Sequence, residues 1–115
     1  MNLLLVEWDP ESADVRAAEL REGGHTVVIE SHDGARAAAL VRQQFPDAVI
    51  LTLATRPSHS WQTARPIAAR LGSRLVFVDG DEASTARAAT FAPHATFATA
   101  ETLLDVLETL SPTPG

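Results

Sequence analysis

The stretch from Phe45 to Leu53 constrains the fold more than any other, because Pro46-Asp47 leads there into a short, almost entirely apolar run. A run of this kind predicts a β-strand that is buried on both faces. Burial on both faces requires helices above and below, so we expect the central strand of a small parallel sheet. Because ligands collect outside the carboxyl ends of such strands, any chemistry is expected near Thr52.

The length and composition exclude several classes of protein. The 115 residues predict a single domain. The chain has no cysteine and no lysine, which removes thiolate nucleophiles, disulfides, cysteine-based zinc sites and Schiff-base lysines. The net charge is −6 and the nine basic residues are scattered arginines, so direct nucleic-acid binding is not expected. No apolar run is long enough to span a bilayer, so we expect no membrane contact and a cytoplasmic location.

Apolar runs separated by turn residues predict the other elements. Five strands are predicted, at 3–6, 25–30, within 45–53, 75–78 and 95–98, the last of them weak and at an edge. Helices are predicted after them, at 10–22, 34–44, around 67–71, 82–90 and 101–110. The stretch 54–60 is expected to be a loop, and Pro66 is expected to delay or bend the third helix. Residues 111–115 are expected to form a disordered tail.

Strands that alternate with helices in so short a chain predict a three-layer α/β sandwich with right-handed crossovers. Three local patterns, Leu3 to Asp9, Asp33 to Ala38 and Phe45 to Leu53, then stand in the order and spacing of one known family. Over residues 1–110 the chain resembles the receiver domain of two-component response regulators. The resemblance implies a flavodoxin-like, five-stranded parallel sheet of order 2-1-3-4-5.

The functional positions of that family correspond here to residues of other chemical types. The resemblance places the phosphoacceptor aspartate on Thr52. It places the two adjacent metal-binding acids on Glu7 and Trp8, with Asp9 beside them. The switch hydroxyl falls on Asp79, the aromatic of strand five on Thr96 and the lysine on Thr99. Aspartyl phosphorylation needs a carboxylate nucleophile, a divalent ion and a cation on the product oxygens. We therefore expect a degenerate receiver domain that is not phosphorylated, with no cofactor and no bound metal.

Several residues near the expected carboxyl ends of the strands admit two interpretations. Glu7, Asp9, Asp79 and Asp81 either converge on a cation through hard oxygen ligands or stay apart as separate solvated groups. Trp8 either fills the former metal site or packs at its rim. Arg56 and His59 are possible recognition residues or solvated loop residues, and Trp61 is a possible partner contact or a core aromatic.

Two functions follow from these expectations. The first is a regulatory module that acts by protein–protein contact, which the resemblance places on the fourth helix, fifth strand and fifth helix, with a homodimer left open. The alternative is a small cation-binding domain that uses Glu7, Asp9 and Asp79. An enzyme is not expected, because no nucleophile, base and orienting group can be named together.

Overall fold

The computed structural model describes residues 1–110, so the predicted tail at 111–115 lies outside the described residues. The five predicted strands form one parallel sheet of order β2-β1-β3-β4-β5, which confirms the expected fold class. The strands are β1 (Asn2–Val6), β2 (Thr26–Glu30), β3 (Ala48–Thr52), β4 (Leu75–Val78) and β5 (Thr96–Ala98). Every residue of β3 is buried, as expected for the central strand.

Residues 1–110 contain six α-helices, of which the first five lie between strands and the last follows β5: α1 (Pro10–Glu22), α2 (Gly34–Gln44), α3 (Pro57–Ala64), α4 (Ala68–Leu71), α5 (Glu82–Phe91) and α6 (Leu103–Leu110). The helices predicted fourth and fifth from the sequence are therefore α5 and α6. No helix among residues 1–110 has the length and apolar character that a membrane crossing demands.

Side chains alternate between the two faces of the sheet and build two apolar cores. On one face, Val49, Leu51 and Phe77 pack beneath α2 to α5. On the other face, Ile50 and Val76 pack against α1 and α6. This alternation makes the three layers of the sandwich and leaves the carboxyl ends of β1, β3 and β4 as one common rim, here called the carboxyl edge.

The segment after β3 differs from its prediction. The expected loop at 54–60 is helical from Pro57 onward, because proline is well tolerated in the first turn of a helix, where its missing N–H has no partner to lose. The expected single helix is interrupted around Arg65-Pro66, where proline cannot continue the hydrogen-bond ladder, and resumes as the single turn α4. Residues 1–110 consequently form six α-helices rather than the five expected.

Candidate functional site

Thr52 is the last residue of β3 and lies at the centre of the carboxyl edge, with 1% of its surface exposed. Its hydroxyl oxygen accepts a hydrogen bond from the backbone N–H of Ala54 at 3.1 Å. The residue that the resemblance places at the phosphoacceptor position is thus a buried, neutral hydroxyl that accepts a hydrogen bond in the turn after β3. Within residues 1–110, no basic side chain accepts a hydrogen bond from the Thr52 hydroxyl, so this hydroxyl is a poor nucleophile.

Trp8 follows β1 and joins the apolar core beneath α3. Its indole Nε1 donates to Ser60 Oγ at 3.0 Å, and Ser60 Oγ donates to the carbonyl oxygen of Thr52 at 2.5 Å. The His59 imidazole packs on the indole in a T-shaped arrangement, with the ring centroids 5.6 Å apart. Trp8 therefore packs in the core and also ties the end of β1 to α3 and to the last residue of β3.

Glu7 is the one acid of the carboxyl edge that is almost fully buried, with 2% of its surface exposed. Its Oε1 accepts a hydrogen bond from the Thr55 hydroxyl at 3.0 Å. Its Oε2 is buried and has no hydrogen-bond partner within residues 1–110. A carboxylate with a single neutral donor is incompletely satisfied, which bears on the stability of this part of the fold.

Asp79 follows β4 in a left-handed backbone conformation with φ of 60°. Its carboxylate accepts hydrogen bonds from the Arg16 guanidinium at 2.6 Å and from the backbone N–H of Ala100 at 2.7 Å. The Arg16 pair is also a salt bridge, with the two side chains 14% and 28% exposed. Asp79 therefore joins the end of β4 to α1 and to the loop before α6, and its negative charge already has a cation.

Asp9 and Asp81 cap helices instead of converging on a shared site. Asp9 accepts hydrogen bonds from the hydroxyl and backbone N–H of Ser12, which lower the pKa of its carboxyl, and it is the N-cap of α1. Asp81 accepts from the backbone N–H of Ser84, which lowers the pKa of Asp81, and it is the N-cap of α5. Across residues 1–110, no group of three or more acidic or histidine side chains is arranged to hold a metal ion.

The positions that the resemblance assigns to the switch lie at the end of the sheet. Thr96 donates its hydroxyl hydrogen to the carbonyl of Ser73 at 2.9 Å. The backbone N–H of Thr99 donates to the hydroxyl of Thr102 at 2.9 Å in an exposed turn before α6. The aromatic of β5 is the next residue, Phe97, which stacks on Phe77 with centroids 5.6 Å apart. An aromatic is therefore present in β5, but it packs on the neighbouring strand.

The three residues considered as partner contacts separate into two places. Arg56 directly precedes α3 and has a left-handed backbone conformation with φ of 40°. His59 is exposed and packs on Trp8. Trp61 is half-buried and stacks on Phe91 of α5, with centroids 6.2 Å apart. The sequence-based interpretation missed Ser60 and Arg16. Ser60 was placed in a loop, and Arg16 belongs to no motif, so no local signal marked either residue.

Neither the comparison with protein-family models nor that with curated proteins finds a match. Solved structures do match. The BeF3-activated N-terminal receiver domain of Klebsiella pneumoniae RstA is 20% identical, with a TM-score of 0.80 over 97% of this chain and 100% of that one. The pseudo-receiver domain of CikA is 18% identical, with a TM-score of 0.72 over 96% and 97%. The receiver domain of NarL from Mycobacterium tuberculosis is 18% identical, with a TM-score of 0.71 over 95% and 91%.

Similarity to structures that are 18–20% identical shows the fold alone. The chemistry of the site has to be inferred from the residues of this chain. The sheet here has the order β2-β1-β3-β4-β5, and the match to the RstA receiver domain extends over 97% of the chain with a TM-score of 0.80. The chain therefore has the receiver fold of two-component response regulators.

Proposed function

We propose that this protein is a signalling module of the receiver type that is not phosphorylated and acts through protein–protein contacts. One observation carries the proposal. The position of the phosphoacceptor holds the buried hydroxyl of Thr52, whose backbone carbonyl is bound by Ser60, which in turn binds the indole of Trp8. An uncharged, fully packed group takes the place that a phosphoryl acceptor would need.

The chemistry of phosphoryl transfer supports the same proposal. Transfer to a carboxylate needs a nucleophile, a metal ion that neutralises the phosphoryl oxygens and a cation on the product. Here Thr52 is neutral, Trp8 supplies no oxygen ligand and Thr99 supplies no positive charge. Glu7, at 2% exposure, is the buried acid of the carboxyl edge, and a carboxylate there would repel a phosphate group.

The surface proposed for partner contact includes α5, β5 and α6. Residues of β5 are partly exposed at the edge of the sheet, and Leu104 of α6 is 42% exposed. An edge strand with open hydrogen-bonding groups can accept a protein partner or a second copy of the chain. Binding of such a partner would replace phosphorylation as the regulating event.

The test is incubation with acetyl phosphate, followed by intact mass measurement, and fluorine NMR with beryllofluoride. We expect no mass increase and no bound fluoride signal, while a receiver domain with an intact aspartate, as the positive control, shows both. A phosphoryl adduct on a carboxylate of this chain would overturn the proposal.

The variant Thr52→Asp sharpens this test. Restoring the nucleophile alone is expected to leave the protein unmodified, since Trp8 still denies a metal ligand and Thr99 still leaves the product oxygens without a cation. Phosphorylation of Thr52→Asp at the rate of the positive control would show that these two positions are not required.

A further inference from the structure

The face formed by α3 and α5 carries four side chains that contact one another, Trp61, Arg65, Arg87 and Phe91, here called the aromatic–arginine cluster. The rings of Trp61 and Phe91 stack with centroids 6.2 Å apart and an interplanar angle of 22°. The Arg65 guanidinium lies 5.3 Å from the Phe91 centroid, and that of Arg87 lies 5.5 Å from Phe91 and 5.9 Å from Trp61. Two cations therefore lie over two stacked rings.

The sequence builds the cluster from two spacings of four residues. Trp61 and Arg65 share one face at the end of α3, and Arg87 and Phe91 share one face of α5. Where the two helices pack, each arginine reaches the aromatic ring of the other helix. Cation–π attraction holds both guanidinium groups in place, which reduces the rotamer freedom that they would lose on binding a ligand.

The side-chain hydrogen-bond donors of Arg65 and Arg87 have no acceptor within residues 1–110. The salt bridges found in residues 1–110 are Arg16–Asp79 and Arg36–Glu30. Over the same residues, the side chains of Arg65 and Arg87 make no hydrogen bond, and both residues are exposed. Each guanidinium therefore offers a planar set of donors to solvent from a fixed position, the geometry that binds carboxylates in pairs of hydrogen bonds.

The charge of the chain decides which partner fits. The protein carries a net charge of −6, and its basic residues are nine separate arginines, so a nucleic-acid backbone is repelled overall. A short acidic segment needs only the local pair of arginines. The half-buried rings of Trp61 and Phe91 beside the pair offer apolar surface for a neighbouring side chain of the same segment.

We propose that the aromatic–arginine cluster docks an acidic peptide segment of a protein partner, with carboxylates on Arg65 and Arg87 and an apolar side chain against the rings. The inference rests on the proposed function in assigning a protein partner, and it names that partner's chemistry. It does not depend on the absence of phosphorylation.

The test is a titration of the full chain with a peptide of alternating glutamate and leucine, followed by NMR of the backbone, indole and arginine Nε signals. The matched peptide with glutamine in place of glutamate is the ligand control. We expect shifts of the Trp61 indole and of the Arg65 and Arg87 signals with the acidic peptide only, while the buried Trp8 indole stays unchanged. The double variant Arg65→Gln/Arg87→Gln is expected to bind about tenfold more weakly or worse, as for the loss of charged hydrogen bonds.

The control variant Arg70→Gln/Arg74→Gln removes the same charge from another pair of exposed arginines spaced by four residues. We expect it to bind the acidic peptide as the unmodified chain does. Equal loss of binding in both double variants, or shifts confined to another surface, would overturn the proposal.

Two further measurements separate other occupants. Shifts of the cluster by a short single-stranded DNA but not by the acidic peptide would assign it to nucleic acid and overturn the proposal. Self-association that disappears only in Arg65→Gln/Arg87→Gln would assign it to a second copy of the chain, with the same consequence. A phosphoryl adduct in the acetyl phosphate experiment would contradict the proposed function and leave this titration unaffected.

Discussion

The two halves of the carboxyl edge hold their loops by different physical means. On the β1–β3 side, Trp8, Ser60 and Thr52 form a buried chain of uncharged hydrogen bonds. On the β4–β5 side, the charged pair of Asp79 and Arg16 joins the end of β4 to α1 while remaining partly exposed. The difference teaches that the Trp8–Ser60–Thr52 chain depends on packing and on buried neutral hydrogen bonds, whereas the Arg16–Asp79 pair depends on charge and is therefore weakened by salt.

Ser60→Ala is expected to have the largest effect of any change at this edge. Ser60 is completely buried, and its hydroxyl serves Trp8 as acceptor and Thr52 as donor. Its removal leaves two buried polar groups unpaired, so the free energy of unfolding should fall by about 2–4 kcal/mol. Urea denaturation measures the change, with the exposed Ser58→Ala on the same helix as the control. A loss no greater than that of Ser58→Ala would show that the hydrogen-bond chain contributes little.

Asp79→Asn tests the charged half with a smaller expected loss. Asparagine tolerates the left-handed φ of 60° and still accepts from Ala100, but its NH2 group replaces the oxygen that accepts from Arg16, so the variant removes the charge and that one hydrogen bond. We expect a loss of about 1–2 kcal/mol, between the values of exposed and buried salt bridges. A double-mutant cycle with Arg16→Gln isolates the pair. The coupling energy of the Arg16–Asp79 pair should decrease in high salt, while the effect of Ser60→Ala should not change. Equal salt dependence of the two would show that both halves are stabilised in the same way.

Glu7→Gln is expected to stabilise the protein. Oε2 of Glu7 is buried without a hydrogen-bond partner within residues 1–110, so an ionised carboxylate is costly there. Replacing the charge by a neutral amide should raise the free energy of unfolding by roughly 1 kcal/mol at pH 7. Thr55→Val, which removes the single donor to Oε1, should act in the opposite direction. A destabilised Glu7→Gln would show that its surroundings favour the charge.

The caps on either side of the edge give the smallest effect, and its change with pH falls in the acid range. Hydrogen bonds from Ser12 and Ser84 lower the pKa values of Asp9 and Asp81 below the ordinary value of 3.8. A lowered folded-state pKa adds stability above 3.8 that is lost as the pH falls through the folded-state value. Asp9→Asn and Asp81→Asn should therefore each flatten the decline in stability below about pH 4. Acid titration followed by circular dichroism measures this decline. An unchanged slope of stability against pH in both variants would show that the caps do not contribute to it.

Local patterns were sufficient for most elements and insufficient for α3. The apolar run in β3 and the Asp-led starts of α1 and α5 carried their own signals, and the structure places a buried strand and two capped helices there. The segment after Ala54 carried turn residues, and proline at 57 was compatible with either a loop or a helix start. Packing of Ser60, Thr63 and Ala64 against the core decided in favour of the helix.

The sequence by itself determined the strands, most of the helices that separate them and the chemical types at the positions that the resemblance assigns to the family's site, because these are properties of neighbouring residues. Resemblance supplied the strand order, which the structure confirms. Only the tertiary structure decided how the carboxyl edge is held together. Its contacts, Glu7–Thr55, Trp8–Ser60 and Arg16–Asp79, join residues 48, 52 and 63 positions apart. The partner of each of these side chains depends on how the layers pack, and this packing cannot be predicted from neighbouring residues in the sequence.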